Sequence, residues 1–299
     1  MDQSELAWVE VARFGGRAEA EQHALVLVSR GIDCRLVRTP GGAVALTVAA
    51  PDVRHAEREL AQYAEENRRG GRLVLPARSL AAGLEGALAY CAVLFFLYGA
   101  SRRQTFSLDW WSAGTAQAGL IVSGEWWRTV TALGLHADFG HLASNLFFGS
   151  GLGLLLAQLL GTGFAWLAIL LSGALGNALS ALVQPASHTA VGASTAVFGA
   201  LGILAALAWK RQAGVWRLPL RRWLPFAAGA MLLAYLGFGG ERTDVLGHVA
   251  GFIAGGAVGV GIACADPSLF QSTRGQWACG TSALGLVALA WFLALRAHG

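Results

Sequence analysis

The sequence predicts an α-helical polytopic membrane protein with a small soluble α+β domain at its N-terminus. Hydrophobic residues make up 55% of its 299 residues and charged residues only 13%, which departs from the composition of soluble globular proteins. Of the 18 acidic residues, 11 lie within residues 1–78, ahead of the long apolar runs. These observations divide the chain into a soluble N-terminal part and a membrane-spanning remainder.

The N-terminal part alternates between strand and helix patterns. Alternating side chains around turn residues such as Pro40-Gly41-Gly42 predict strands, and apolar positions three or four apart predict helices. The resulting order is β-α-β-β-α over residues 8–14, 17–30, 34–38, 43–49 and 51–67. We expect residues 1–70 to fold as a domain, followed by a linker at 71–79.

Seven apolar segments follow, each predicted to be a helix in a bilayer that about 20 residues can span. They cover residues 80–100, 141–160, 164–183, 194–209, 223–237, 245–265 and 276–295. The fourth and fifth are short, as expected where a helix begins below the membrane surface beneath a loop that dips inward. Residues 80–265 thus form a predicted six-helix core, and residues 266–299 an additional C-terminal helix.

Basic residues predict the orientation of these helices. The loop after the fourth segment contains no acidic residue but five basic ones: Lys210, Arg211, Arg217, Arg221 and Arg222. The positive-inside rule places this loop in the cytoplasm, against the opposing signal of Arg102-Arg103. The protein is then expected to be a multi-pass protein of the cell (inner) membrane, with its N-terminal domain in the cytoplasm. We expect no cleavable signal peptide, because no basic flank with a short apolar stretch opens the chain.

Polar side chains inside membrane helices are costly and therefore mark candidate functional sites. His141 and Asn145 lie four residues apart at the start of the second segment, so they share one helical face, and His136 precedes them by five residues. Two donors on one inward face suit the stabilisation of an oxyanion. The alternative is a polar pair that joins two membrane helices.

A serine opens the fourth segment among small residues. Ser194 follows Gly192 and Ala193, and Phe198 lies one helical turn further along. Taken alone, a serine at this position is more simply a helix N-cap than a nucleophile.

A histidine stands near the start of the sixth segment. His248 is followed by Gly251 and Gly255, whose spacing predicts a smooth face for close helix packing. The expected partner is a face of the fourth segment made of small residues: Ala196, Ala200 and Gly202. Such packing would bring the His248 base within hydrogen-bond reach of Ser194, the usual way to activate a weakly nucleophilic hydroxyl.

Five motifs occur in order over residues 125–255: Trp127-Arg128, His136, His141-x-x-x-Asn145, Gly192-Ala193-Ser194 and Gly247-His248-Val-Ala-Gly251. In this order they resemble the motifs of the rhomboid intramembrane serine proteases. The similar region extends over the predicted six-helix core, and the set is far more specific than a serine between small residues. The seventh helix and the N-terminal domain lie outside the resemblance.

The resemblance implies a role for each matching residue. Ser194 would be the nucleophile and His248 the general base, without an acidic third member. An oxyanion hole would be formed by His141, Asn145 and the backbone N–H of Ser194. Trp127 and Arg128 would belong to a membrane-embedded first loop, and residues 237–243 to a mobile cap. The supporting residues would be His136, Phe198, Gly192 and Gly251.

Three nearby residues qualify this assignment. Thr195 stands where many family members have glycine, and Phe198 where some have tyrosine, but neither change removes a catalytic group. Asp244 precedes His248 by four residues. We expect it to be the N-cap of the sixth segment, where a carboxylate also complements the helix dipole, rather than the third member of a triad.

The sequence therefore predicts peptide-bond hydrolysis in or near transmembrane segments. The expected partners are transmembrane protein substrates and the lipid bilayer, with no cofactor, no metal and no nucleic acid; the oligomeric state stays open. One alternative is an inactive rhomboid-like protein that binds membrane clients for quality control. Others are a metal enzyme using His136, His141 and His248, although HExxH is absent, and a transporter, although internal repeats are not evident.

Overall fold

The computed structural model describes residues 7–69, 83–211, 223–237 and 244–298. The expected linker at 71–79, residues 217, 221 and 222 of the basic loop and residues 238–243 of the expected cap lie outside this part of the chain. The described residues divide into two compact units, 7–69 and the remainder.

The N-terminal unit is a three-stranded antiparallel sheet with two helices. Its elements are β1 (Trp8–Phe14), α1 (Arg17–Ser29), β2 (Cys34–Arg38), β3 (Val44–Ala49) and α2 (Val53–Arg69). β3 lies between β1 and β2. Its side chains are therefore the most buried of the sheet, and Leu46 and Val48 pack with Leu27, Ile32 and Ala56. The predicted β-α-β-β-α order is confirmed.

The second unit is predominantly helical. Its longer helices are α3 (Leu84–Arg103), α7 (Phe139–Leu160), α8 (Thr162–Val183), α9 (Ser194–Arg211), α10 (Leu224–Gly237), α11 (Val245–Cys264) and α12 (Thr273–His298). Between α3 and α7 lie the short elements α4 (Trp110–Gly114), β4 (Ala116–Gln117), α5 (Ala118–Val122) and α6 (Arg128–Thr131). A two-residue strand, β5 (Thr189–Ala190), precedes α9 and pairs with β4.

A helix thus occurs at each of the seven predicted segments. Within the described ranges, five helices are long and apolar enough to cross a membrane, namely α3, α7, α8, α11 and α12, and α9 is a shorter apolar helix. Several boundaries differ from the predicted ones because a helix extends to its capping residue rather than to its last apolar one. α7, for example, begins at Phe139 after the Asp138 cap, not at His141.

α9 packs against both α8 and α11, and glycines permit this close approach. A Cβ atom added to Gly255 of α11 would overlap the carbonyl oxygen of Gly199 in α9, and one added to Gly251 would overlap that of Thr195. The expected partner face is only partly correct. Gly202 does lie against α11, whereas Ala196 contacts Gly173 of α8, because the tight contact falls on the adjacent face of α9.

The first turns of α3, α8 and α12 lie at one end of the unit. Thr162 donates a hydrogen bond to Glu85 at 3.2 Å. The Gln276 side chain accepts from the backbone N–H of Gly163 at 2.9 Å and donates to the carbonyl of Leu160 at 2.8 Å. One glutamine therefore attaches α12 to the turn between α7 and α8.

The segment between α3 and α7 is organised around a buried arginine. Arg128 is 1% exposed and pairs with Glu125 at 2.6 Å. Its Nη1 atom donates to the carbonyls of Ser112 and Thr115 at 2.9 and 2.7 Å. Because a buried guanidinium needs such acceptors, Arg128 holds this segment in one conformation.

Candidate active site

Two polar side chains meet where α9 and α11 begin. Nε2 of His248 lies 2.9 Å from Oγ of Ser194, within ordinary hydrogen-bond distance. The carbonyl of Ala193 accepts the first helical bonds of α9, from Ala196 and Val197. Ala193 is thus the residue at the N-cap position, so the Ser194 hydroxyl is directed to His248 instead of capping the helix.

The imidazole of His248 rests on an aromatic ring. The ring centroids of Phe198 and His248 lie 4.5 Å apart with an interplanar angle of 41°. Phe198 is one turn after Ser194 on the same helix, so α9 supplies both the hydroxyl and the support for its partner. His248 itself is buried.

His141 and Asn145 lie on the first turns of α7. Asp138 caps this helix by accepting from the backbone N–H of His141 at 2.8 Å. Nδ2 of Asn145 donates to the carbonyl of His141 at 3.0 Å, and Asn145 is buried. The cap and this bond set the positions of both side chains at the start of α7.

Gly192 lies between the His141 ring and Ser194. It has a φ of +123°, in the region that favours glycine. A Cβ atom added there would lie 2.6 Å from Nε2 of His141 and 3.6 Å from Oγ of Ser194. His141 therefore borders the same small space as the hydroxyl.

His136 is fully buried and connects two loops. Its Nδ1 atom lies 3.3 Å from the carbonyl of Gly134, and the backbone N–H of Ala193 donates to its Nε2 atom at 3.4 Å. Since a carbonyl only accepts and an amide N–H only donates, these partners assign the proton to Nδ1. His136 thus orients the residue that precedes Ser194.

The neutral form of this histidine follows from its surroundings. His136 lies outside the membrane-spanning helices, and burial, with a smaller contribution from His141, lowers its pKa from 6.5 to about 4.

The remaining expected site residues have the following contacts. Arg128 organises the segment between α3 and α7, and Trp127 packs against the apolar cluster that contains Leu135 and Trp291. Gly251 allows α11 to approach Thr195. Within the described part of the chain, no three His, Cys, Asp or Glu side chains are grouped as metal ligands would be.

Asp244 caps α11 by accepting from the backbone N–H of Gly247 at 3.0 Å, which confirms the expected cap. The same carboxylate accepts from Gln184 at 3.2 Å and lies 3.5 Å from Nε2 of His188. Gln184 and His188 were not predicted from the sequence, since nothing in their local pattern indicates a contact some 60 residues away.

Fold and site together define a polytopic helical membrane protein in which two helices begin side by side with a serine and a histidine in contact. The family model of the rhomboid domain matches residues 123–264. The matched region, just under half of the chain, is therefore a rhomboid domain.

Several relatives carry the same family name. Rhomboid-like protease 3 of Toxoplasma gondii is 37% identical over 150 residues, which cover 48% of this chain and 55% of the relative. Rhomboid protease GluP of Bacillus subtilis (strain 168) is 30% identical over 170 residues, which cover 56% of this chain and 32% of the relative. Rhomboid-like protein 11, chloroplastic, of Arabidopsis thaliana is 33% identical over 147 residues, covering 45% and 50%. The chain thus matches about half or less of the length of these relatives.

Proposed function

We propose that this protein is an intramembrane serine endopeptidase that uses Ser194 and His248 as a catalytic dyad. The observation that carries the proposal is the 2.9 Å contact between Nε2 of His248 and Oγ of Ser194 at the starts of α9 and α11. A hydroxyl and a histidine base at this distance form the usual pair for acyl transfer. The relatives named as proteases support the same activity.

The proposed reaction proceeds through an acyl-enzyme. His248 takes the proton of the Ser194 hydroxyl as Oγ attacks the carbonyl carbon of the scissile peptide bond. The tetrahedral intermediate collapses when His248 returns that proton to the leaving amine. A water molecule, deprotonated by His248, then hydrolyses the ester and regenerates Ser194.

The proposed oxyanion hole consists of three donors. The backbone N–H of Ser194 belongs to the first turn of α9, where helical N–H groups are unpaired and the helix dipole favours negative charge. The His141 ring borders Ser194 across Gly192. Asn145 uses one amide hydrogen on the carbonyl of His141 and retains a second for substrate.

The proposal extends to substrate, domains and orientation. The substrate is a transmembrane protein whose helix unwinds near the cleaved bond, because a helical peptide bond is hydrogen-bonded and shielded. Residues 1–70 form a cytoplasmic domain, 71–79 a linker, 80–265 the protease core and 266–299 the additional helix. The site opens toward the outer face of the inner membrane.

The test is cleavage of a model transmembrane substrate in proteoliposomes, with labelling by a serine-reactive phosphonate. We expect Ser194→Ala and His248→Ala to abolish both cleavage and labelling. Ser172→Ala, a buried serine of α8 that donates to the carbonyl of Ile169, is the matched control and should retain both. Cleavage that survives Ser194→Ala contradicts the dyad. If the wild-type protein binds the substrate but is neither labelled by the phosphonate nor able to cleave the substrate, it is instead an inactive client-binding relative.

A further inference from the structure

A cavity of about 600 Å³ lies between α3 and α12, with α8 beneath it. It is separate from the space that borders Ser194, because none of Ser194, His248, His141 and Asn145 lines it. Its walls are mostly apolar, with Val93 and Leu97 on α3, Ile169 on α8, and Ala283 and Val287 on α12.

The cavity has a polar end and an apolar end. Glu85 and Thr162, which are hydrogen-bonded to each other, line one end together with Gln276. Leu97 and Trp291 line the other end, beside Gly134. An elongated ligand with a polar head and an apolar tail fits this arrangement.

The length and volume of the cavity indicate which apolar tail fits it. From Glu85 to Leu97 the cavity follows 12 residues of helix, about 18 Å at 1.5 Å per residue, close to half of a hydrocarbon core about 30 Å thick. A methylene group occupies roughly the volume of a water molecule, about 30 Å³, so the cavity holds about twenty of them. A helix about 10 Å wide and equally long needs more than about 1,000 Å³, so a transmembrane peptide does not fit.

Two unsatisfied donors belong to residues that line this cavity. Among the described residues, the indole N–H groups of Trp166 and Trp291 have no hydrogen-bond partner. Trp166 lies against Gly86 and Thr162, near the polar end, and Trp291, only 6% exposed, is at the other end. A buried donor without an acceptor is costly. Because both indole nitrogens have almost no accessible surface, a ligand in the cavity contacts the tryptophan rings rather than these N–H groups.

The charge at the polar end of the cavity indicates the charge of the ligand's headgroup. No basic residue in the described part of the chain forms an ion pair with Glu85, an exposed residue that accepts a hydrogen bond from the hydroxyl of Thr162. A primary ammonium would complement this carboxylate. The exposed Arg274 follows Thr273 at the same end, so an anionic headgroup is the competing outcome.

We propose that this cavity is a specific site for one acyl chain of a membrane phospholipid with a primary ammonium headgroup. The chain lies between α3 and α12, and the ammonium pairs with Glu85. The end of the chain reaches Gly134 and Ala193, which line the cavity and are the two backbone partners of His136. The lipid therefore packs against the residue that precedes Ser194, and its binding does not require proteolysis.

The experiment is native mass spectrometry of the full chain in detergent, with phosphatidylethanolamine or phosphatidylglycerol of the same acyl chains added. We expect one phosphatidylethanolamine per wild-type chain. Ala283→Phe and Ala89→Phe fill the cavity from opposite walls and should each weaken binding by about tenfold or more. Ala288→Phe, at an exposed position of α12, is the matched control and should bind as the wild type does.

Glu85→Gln tests the headgroup and should remove the preference for phosphatidylethanolamine over phosphatidylglycerol. Thermal unfolding without added lipid verifies that each variant is folded. If the cavity-filling and control variants retain lipid equally, the proposed lipid site is overturned. Absence of bound lipid on the wild type overturns it as well. A wild-type preference for phosphatidylglycerol overturns the pairing with Glu85. None of these measurements depends on cleavage, so they are independent of the outcome for Ser194.

Discussion

The imidazole of His141 occupies the space into which a side chain at Gly192 would project, since a Cβ atom there would lie 2.6 Å from Nε2 of the ring. The positive φ of Gly192, +123°, and its N–H bond to the carbonyl of Ala132 at 2.9 Å fix this backbone in place. The missing side chain thus lets a donor on α7 approach the hydroxyl on α9.

Gly192→Ala is therefore expected to displace His141 and impair catalysis. The added methyl group collides with the ring, and its backbone conformation is strained for any residue other than glycine. Loss of one oxyanion donor lowers kcat by about 100-fold or more. The measurement is kcat on a model transmembrane substrate, with Gly151→Ala, at an open position of α7, as control. Unchanged kcat in Gly192→Ala would show that His141 is not placed by this contact.

The distance between Ser194 and His248 depends on the packing of α9 against α11. Gly255→Ala introduces a methyl group that overlaps the Gly199 carbonyl, so the helices must separate. Overpacking of this kind costs about 1–3 kcal/mol, and we expect a lower Tm together with reduced labelling of Ser194 by a phosphonate. Gly261→Ala, at an exposed position of the same helix with open space around it, should change neither. Equal effects of the two variants would instead indicate a general intolerance of α11.

Asp244 is expected to act on stability rather than on the chemical step. Its carboxylate accepts from Gly247 and Gln184, so Asp244→Ala removes the cap of α11, whereas Asp244→Asn keeps a capping oxygen and loses only the charge. Loss of an N-cap costs about 1 kcal/mol, so Tm should fall while kcat changes little. Thermal unfolding and cleavage assays on the same preparations separate the two quantities. A fall in kcat as large as that from His248→Ala would make Asp244 a member of a triad.

The lowered pKa of His136 predicts that the protein loses stability in mild acid. Its pKa is about 4 in the folded protein and near the ordinary 6.5 when unfolded, so the unfolded state takes up the proton first as the pH falls. The contribution of His136 to the free energy of unfolding is complete above pH about 6.5. It decreases toward pH about 4, by up to about 3 kcal/mol.

Thermal unfolding across this pH range measures the effect, with His136→Gln as the comparison. The variant should lose less stability with acidification than the wild type, whatever its stability at neutral pH. Parallel curves for the two proteins would show that another group titrates.

Features encoded in short segments of the chain were predictable. The small residues before Ser194, the apolar runs and the Asp244 cap are each set by neighbours within one or two helical turns. The strands of the N-terminal domain follow from alternation in the same way. Boundaries were less accurate: Asp138 extends α7 beyond its apolar run, because a cap is polar and hydropathy does not detect it.

Contacts between distant segments were not predictable. Ala196 was expected against α11 and instead faces Gly173 of α8, because the rotation of a nearly uniform apolar helix is decided by which neighbour packs most closely. The role of Gln276 in joining α12 to the turn after α7 has no local signal either.

By itself, the sequence determined that this chain enters a membrane several times and that a serine and two histidines stand near the starts of apolar segments. Local hydropathy, capping and glycine spacing suffice for that. Only the tertiary structure decided that Oγ of Ser194 and Nε2 of His248 lie 2.9 Å apart, that His141 fills the space beside Gly192, and that α3 and α12 enclose a cavity. These relationships depend on how close helices can approach, which is set jointly by side chains far apart in the chain.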